Sequence, residues 1–146
     1  MAVGFEFSET MSGSYHTLDR PADELPMSIT VRAAVHDVKK FLLDPTAEIS
    51  GEVDAEGLAD HKALRGTLEI NPLLRRRLVY DFRFADNDGA DCRFHGEKEI
   101  EASRLVSTMT TLPGTIFRDD KEVGRAILRF HMRADLLKMI RSFRPR

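Results

Sequence analysis

Two charges stand on rows that should be apolar. In FEFSETMSGSY, Phe5 to Tyr15, the odd positions are apolar or small apart from Glu9, a carboxylate in the middle of the row that a half-buried strand turns inward. In CRFHGEKEI, Lys98 sits among Cys92, Phe94, Gly96 and Ile100. An unpaired charge in an apolar interior shifts toward its neutral form, whereas a hydrogen-bonded pair keeps both charges. The pattern therefore leads us to expect a Glu9–Lys98 pair inside the molecule, with the hydroxyl of Tyr80 as a third polar group. Such a set does one of three things. It braces the interior, it orients a ligand in a mostly apolar pocket, or it serves as acid and base once burial has moved a pKa.

The other reactive side chains form no such set. His16, His36, His61, His95 and His131 are scattered, with no i, i+4 pair and no H-x-H spacing, so no metal site is read from them. Ser12 and Ser14 lie on the polar row of the first run with no base assigned, and G-x-S-x-G is absent. Cys92 is the only cysteine; no intrachain disulfide is possible, and its place beside Phe94 points to a quiet, buried thiol. Arg75-Arg76-Arg77 is the one basic run. Arg83, Arg93, Arg125 and Arg129 alternate with Asp81, Asp91, Glu97 and Glu99 on polar rows, a pattern that opposite charges across neighbouring strands explain. Stacking aromatics are missing from those rows, which argues against nucleic acid.

The elements that position these residues are strands. Period two recurs along the chain. Met27, Ile29, Val31, Ala33 and Val35 form one row; Ala47, Ile49, Gly51 and Val53 the next; then Leu64, Gly66, Leu68 and Ile70. Leu78, Tyr80, Phe82 and Phe84 lead into Asp86-Asn87-Asp88-Gly89, a hairpin turn, and back through Cys92 and Phe94. Pro113-Gly114 reads as a further turn between LVSTMTTL and TIFRD. Gly124, Ala126, Leu128, Phe130 and Met132 make the last row. The period then changes, and Leu136, Leu137, Ile140 and Phe143 predict an α-helix over about residues 134–143.

The expected fold is mainly β: one domain over residues 1–146, an antiparallel barrel of about 9–10 strands with a C-terminal α-helix. Closure removes the exposed edges that an open sheet of this size would leave. Glycines on inward rows (Gly51, Gly66, Gly96, Gly124) suit its tight bends. With 146 residues, 42% apolar and 32% charged, and a formal net charge of -2, the chain can bury a core and has no general pull toward polyanions. The start MAVGFEFSE lacks a basic, apolar leader and no run is long enough to span a membrane as a helix, so a cytoplasmic protein is expected.

The set F-x-E-x-M-x-G (Phe7, Glu9, Met11, Gly13), the Phe-rich hairpin and F-H-G-E-K-E-I (Phe94 to Ile100) resemble a lipocalin-like, calycin-type barrel domain. They are similar to the accessory domain of some cholesterol-oxidase-like flavoproteins of the glucose-methanol-choline family. The resemblance runs from Phe5 to about Phe143. It implies a barrel whose interior holds an apolar molecule such as a lipid or sterol. The chain has no tryptophan, so the G-x-W opening of lipocalins is absent, and it has no G-x-G-x-x-G loop, so no flavin or oxidase activity is carried over and no cofactor is expected.

The leading expectation is a binding module for a small, mostly hydrophobic ligand, lined by Phe7, Met11, Tyr80, Phe82, Phe94, Leu128 and Phe130, with Glu9 and Lys98 as polar anchors. No catalytic residue is assigned. Two alternatives compete with it. One is a non-catalytic accessory or interaction domain, facing an oxidoreductase partner or a second copy of itself. The other is a small enzyme built on a buried Glu/Lys pair.

Overall fold

The computed structural model describes residues 4–71, 77–99, 111–130 and 144–145. The alternating runs become strands β1 (Phe5–Thr17), β2 (Leu25–Val35), β3 (Thr46–Ala55), β4 (Ala59–Asn71), β5 (Arg77–Ala85), β6 (Asp91–Glu99), β7 (Thr111–Arg118), β8 (Lys121–Phe130) and the short β9 (Arg144–Pro145). Neighbours in sequence pair antiparallel from β2 to β8; β8 pairs with β1, and β1 pairs back onto β2. The result is a closed eight-stranded barrel, with β9 added beside the start of β1. A helix α1 (Val38–Leu43) joins β2 to β3, with Asp37 capping its first turn through the Lys39 amide at 3.0 Å. The helix expected over 134–143 lies outside the described residues.

The register fixes the shape of the barrel. Phe7 faces Ala33, and the row continues through Ile49, Gly66, Phe82, Phe94, Ile116 and Gly124. It returns to β1 at Thr17, ten residues beyond its start (17 − 7). Ten residues of rise at ~3.3 Å, set against eight strand spacings of ~4.8 Å, tilt the strands about 40° and give a backbone radius of about 8 Å. A barrel of equal strand number with a stagger of about eight is tilted near 36° and filled by its own side chains. The greater stagger here widens the barrel by about half an ångström in radius.

The inward rows read from sequence are the rows that are buried. Met27, Ile29, Val31, Ala33 and Val35 alternate with more exposed neighbours along β2, and Leu78, Tyr80, Phe82 and Phe84 do so along β5. Gly51 has a φ of +157° and sits so close to β2 that a Cβ would overlap the Thr30 carbonyl, a tight approach that only glycine permits.

Pro113-Gly114 is not a turn: β7 runs straight through it. Pairing between β6 and β7 ends at Gly96–Gly114, so Pro113 faces only β8, and its missing N–H leaves no ladder bond unmade on the β6 side. Thr111 and Leu112, the end of the first expected run, are thus continuous with TIFRD in one strand, and the rest of LVSTMTTL lies outside the described residues.

Candidate functional site

The interior has two halves of different character. Toward the β5–β6 hairpin, Phe82 and Phe94 stack with ring centroids 4.9 Å apart, and Phe84 meets Phe82 edge-on at 5.9 Å. Met11, Leu64, Ile116 and Leu128 are buried with them. The thiol of Cys92 is also buried there, and burial pushes its pKa up. Toward the other end the described buried residues are aliphatic: Ala33, Val35, Ala47, Ile49, Leu68, Leu78 and Leu112, with Gly96 and Gly114 facing one another across β6 and β7. The Phe94 ring lies over both glycines; a Cβ on Gly114 would overlap it.

Glu9 and Tyr80 mark the boundary. Glu9 is 6% exposed and Tyr80 1%, and the Tyr80 hydroxyl donates to Glu9 Oε1. Their strands, β1 and β5, lie four places apart in either direction around the closed barrel, so this hydrogen bond crosses the interior. Glu9 is the fifth residue of β1 and Tyr80 the fourth of β5, which sets the strut about 10 Å along the strands from the end nearer Phe5 and Arg77. No buried side-chain polar atom among the described residues lacks a hydrogen bond.

Lys98 is not the partner of Glu9. Among the described residues no ion pair joins the two; Lys98 is half-buried, faces Leu78 in register and stands near the end of β6. Tyr80, on the opposite strand β5, takes Glu9 Oε1 across the interior instead, while Lys98 faces Leu78 near the end of β6. Of the other expected lining residues, Met11, Phe82, Phe94 and Leu128 are buried in the interior as read. Phe7 and Phe130 face Ala33 and Met11 in register, and their side chains lie outside the described part. The site residues thus divide: Glu9 and Tyr80 meet, four apolar residues pack, and Lys98 stands apart.

The opposite charges expected across neighbouring strands do meet, as Arg83 with Asp91 and Arg93 with Asp81, but sequence reading missed the buried Asp86 and the addition of His95 to Asp81. Asp86 is buried at the β5–β6 turn, where it accepts from the Ala90 amide at 2.8 Å, the Asp88 amide at 2.9 Å and Arg118 Nε at 2.9 Å. Burial alone would raise its pKa, but these donors outweigh burial and hold the carboxyl below the usual range. Asp81, on the outer wall, takes Arg93 Nε at 2.9 Å and His95 Nδ1 at 2.8 Å; Arg93 above all keeps it ionised against partial burial. The period-two pattern marked Asp81, Arg93 and His95 as outward, but only the Asp81–His95 register shows that they meet. His16 and His61 lie within β1 and β4, and His131 falls outside the described residues.

Among the described residues no group of three or more His, Cys, Asp or Glu could hold a metal ion, and no helix is long and apolar enough to cross a membrane. Comparison with protein-family models, curated proteins and solved structures finds no match to this chain. The closed, eight-stranded antiparallel barrel agrees with the architecture that the resemblance implied.

Proposed function

We propose that the barrel is a binding module for a small, mostly apolar molecule, lipid- or sterol-like, seated in the aliphatic half between the Tyr80–Glu9 strut and the barrel end. The observation that carries this reading is the strut itself. A carboxylate and a phenol placed across an apolar interior cost more to bury than two apolar side chains of equal volume, so their presence asks for a use beyond filling. A hydroxyl or amine on a guest would find its partner at Glu9. The small buried side chains of Ala33 and Ala47, and a stagger larger than that of a filled barrel, favour room on that side. Lys98 at the rim suits a guest with an anionic or strongly polar end.

The lipocalin-like kinship is part of the same proposal. Glu9 in F-x-E-x-M-x-G and Lys98 in F-H-G-E-K-E-I, the two segments that carry the resemblance, belong to the strut and the rim. An accessory role beside an oxidoreductase, and action in the cytoplasm, extend the proposal; a single, buried cysteine suits a reducing compartment.

The test is to purify the protein natively and identify what it carries by denaturing mass spectrometry, alongside Ala47→Phe, which fills the seat. A stoichiometric apolar molecule, lost in Ala47→Phe while the circular dichroism spectrum is kept, supports the reading. No co-purifying molecule, together with no saturable binding of a fluorescent fatty-chain probe, overturns it.

A further inference from the structure

The outer wall carries an arginine row that the interior reading does not use. Arg32 of β2 faces Ser50 of β3, Ser50 faces Arg65 of β4, Arg65 faces Arg83 of β5, and Arg83 faces Arg93 of β6. Like charges directly opposite on adjacent strands work against the sheet. The alternation of signs seen along the sequence therefore does not carry over to this row, where cation meets cation. Two members are neutralised by side chains of the hairpin: Arg83 Nη1 lies 2.8 Å from Asp91, and Arg93 holds Asp81. The other two are not. Arg32 and Arg65 are exposed, and among the described residues neither makes an ion pair or a side-chain hydrogen bond.

These two arginines flank Ser50 in a groove of about 550 Å³ on the outside of β1 to β4, with Thr67 beside them. Its acidic groups are Glu48, whose carboxylate lies 3.3 Å from His36 Nε2, and Glu6 on the β1 side. Arg32 and Arg65 are separated by two strand spacings, about 10 Å. That span lets two extended arginine side chains close over the residue between them.

We infer that this groove binds a phosphate group, held between the guanidinium forks of Arg32 and Arg65 above the Ser50 hydroxyl. A tetrahedral phosphate presents paired oxygens to two forks at once and still has an oxygen for a hydroxyl donor. A carboxylate can accept from two forks, but its two oxygens lie in one plane and leave no third oxygen for the Ser50 hydroxyl. Lysines would not give this geometry, because an ammonium acts as a point charge. The proposal is independent of any guest inside the barrel.

The experiment is a titration with inorganic phosphate followed by amide and arginine side-chain NMR shifts, beside a flotation assay with phosphatidylcholine vesicles with and without phosphatidic acid. Saturable shifts centred on Arg32, Ser50 and Arg65, weakened about tenfold or more in Arg32→Gln and in Arg65→Gln, are expected. Arg125→Gln, on the far wall, should leave the affinity unchanged. A response to free phosphate without flotation assigns a soluble phosphate compound. Flotation that requires phosphatidic acid and both arginines assigns a lipid headgroup. Should either glutamine variant fail to fold, Ser50→Ala takes its place, with a smaller loss. Absence of saturable shifts and of flotation, or binding that survives the substitutions, overturns the inference.

Discussion

The two ends of the barrel solve different problems. At the hairpin end every connection is tied down by hydrogen bonds from its neighbours. Leu18 N–H donates to Val123 O at 3.0 Å, Glu56 N–H to Pro26 O at 3.1 Å, Asn87 N–H to Leu58 O at 2.9 Å and Asp119 N–H to Asp91 O at 2.9 Å. The Tyr15 hydroxyl adds a bond to Glu56 O, and Asp86 with Arg118 joins the β5–β6 turn to β7. At the opposite end β6 and β7 stop pairing at Gly96–Gly114, the described buried residues are aliphatic rather than aromatic, and the polar groups Glu9 and Lys98 stand on interior rows. One end spends its polar groups on holding turns; the other turns them toward the lumen. On the proposed reading, stability is concentrated at the hairpin end and binding at the other, and substitutions at the two ends should separate these properties.

The largest effect should come from Asp86→Ala. It removes the acceptor of two turn amides and a guanidinium at a site 1% exposed. The carboxylate is covered by its own turn and by Arg118 rather than by the core, so the cost is about 2–3 kcal/mol. Thermal unfolding should show a Tm lower by about 5–10 °C. Because the folded pKa lies below the unfolded one, near 4, this stabilisation is complete above the unfolded pKa. It drains as pH falls through the folded pKa. Acid titrations of stability should therefore be flatter below about pH 4 in Asp86→Asn than in the parent. An Asp86→Ala protein as stable as the parent would remove the claim that this end carries the stability.

Gly114→Ala comes next and probes the seam between the halves. The new methyl group would overlap the Phe94 ring, which rests on Gly114 and Gly96, so overpacking of about 2 kcal/mol is expected. The displaced ring can move only toward the lumen, so the variant should also bind an apolar probe less well. Tyr80→Phe is milder in stability, about 1–2 kcal/mol, because it leaves the buried Glu9 carboxylate without its phenol donor. Its distinguishing readout is a co-purifying guest. Loss of the guest in Tyr80→Phe at nearly normal stability sharpens the contrast between the ends; a collapse of the fold makes the strut a brace and blurs it.

How much of this was legible in the sequence follows from which facts are local. Side-chain alternation is local, so the buried rows of β2, β5 and β6 could be read directly, as could the Asp86–Gly89 turn, where Gly89 takes a φ of +84°. The partner of Glu9 is not local. It is set by a ten-residue stagger accumulated around eight junctions, and nothing between Glu9 and Tyr80 in the chain records it. Pro113-Gly114 misled because the pair is a turn signal by composition, while its actual meaning depends on where β6 stops pairing. The arginine row is a further case: alternating charges along each strand look balanced until register sets Arg65, Arg83 and Arg93 side by side. The VKKFLL segment, six residues long, is too short for a helical period to show before the Asp37 cap is seen.

The smallest effect on stability should come from Lys98→Met, and it is the most direct test of the division between the ends. Lys98 is half-buried at the rim and, among the described residues, makes no ion pair or hydrogen bond. Its four-carbon stem already packs as an apolar group, and methionine keeps most of that surface. Stability should stay within about 0.5 kcal/mol of the parent. Affinity for a fatty-chain probe with a carboxylate head should fall by up to about fivefold, the worth of one solvent-screened charge contact of at most about 1 kcal/mol, while the matching alcohol binds as before. Equal loss for acid and alcohol would mean that Lys98 contributes through its stem alone. A loss of stability comparable to that of Asp86→Ala would mean that both ends hold the fold, and that the polar groups on the interior rows are there for the barrel rather than for a guest.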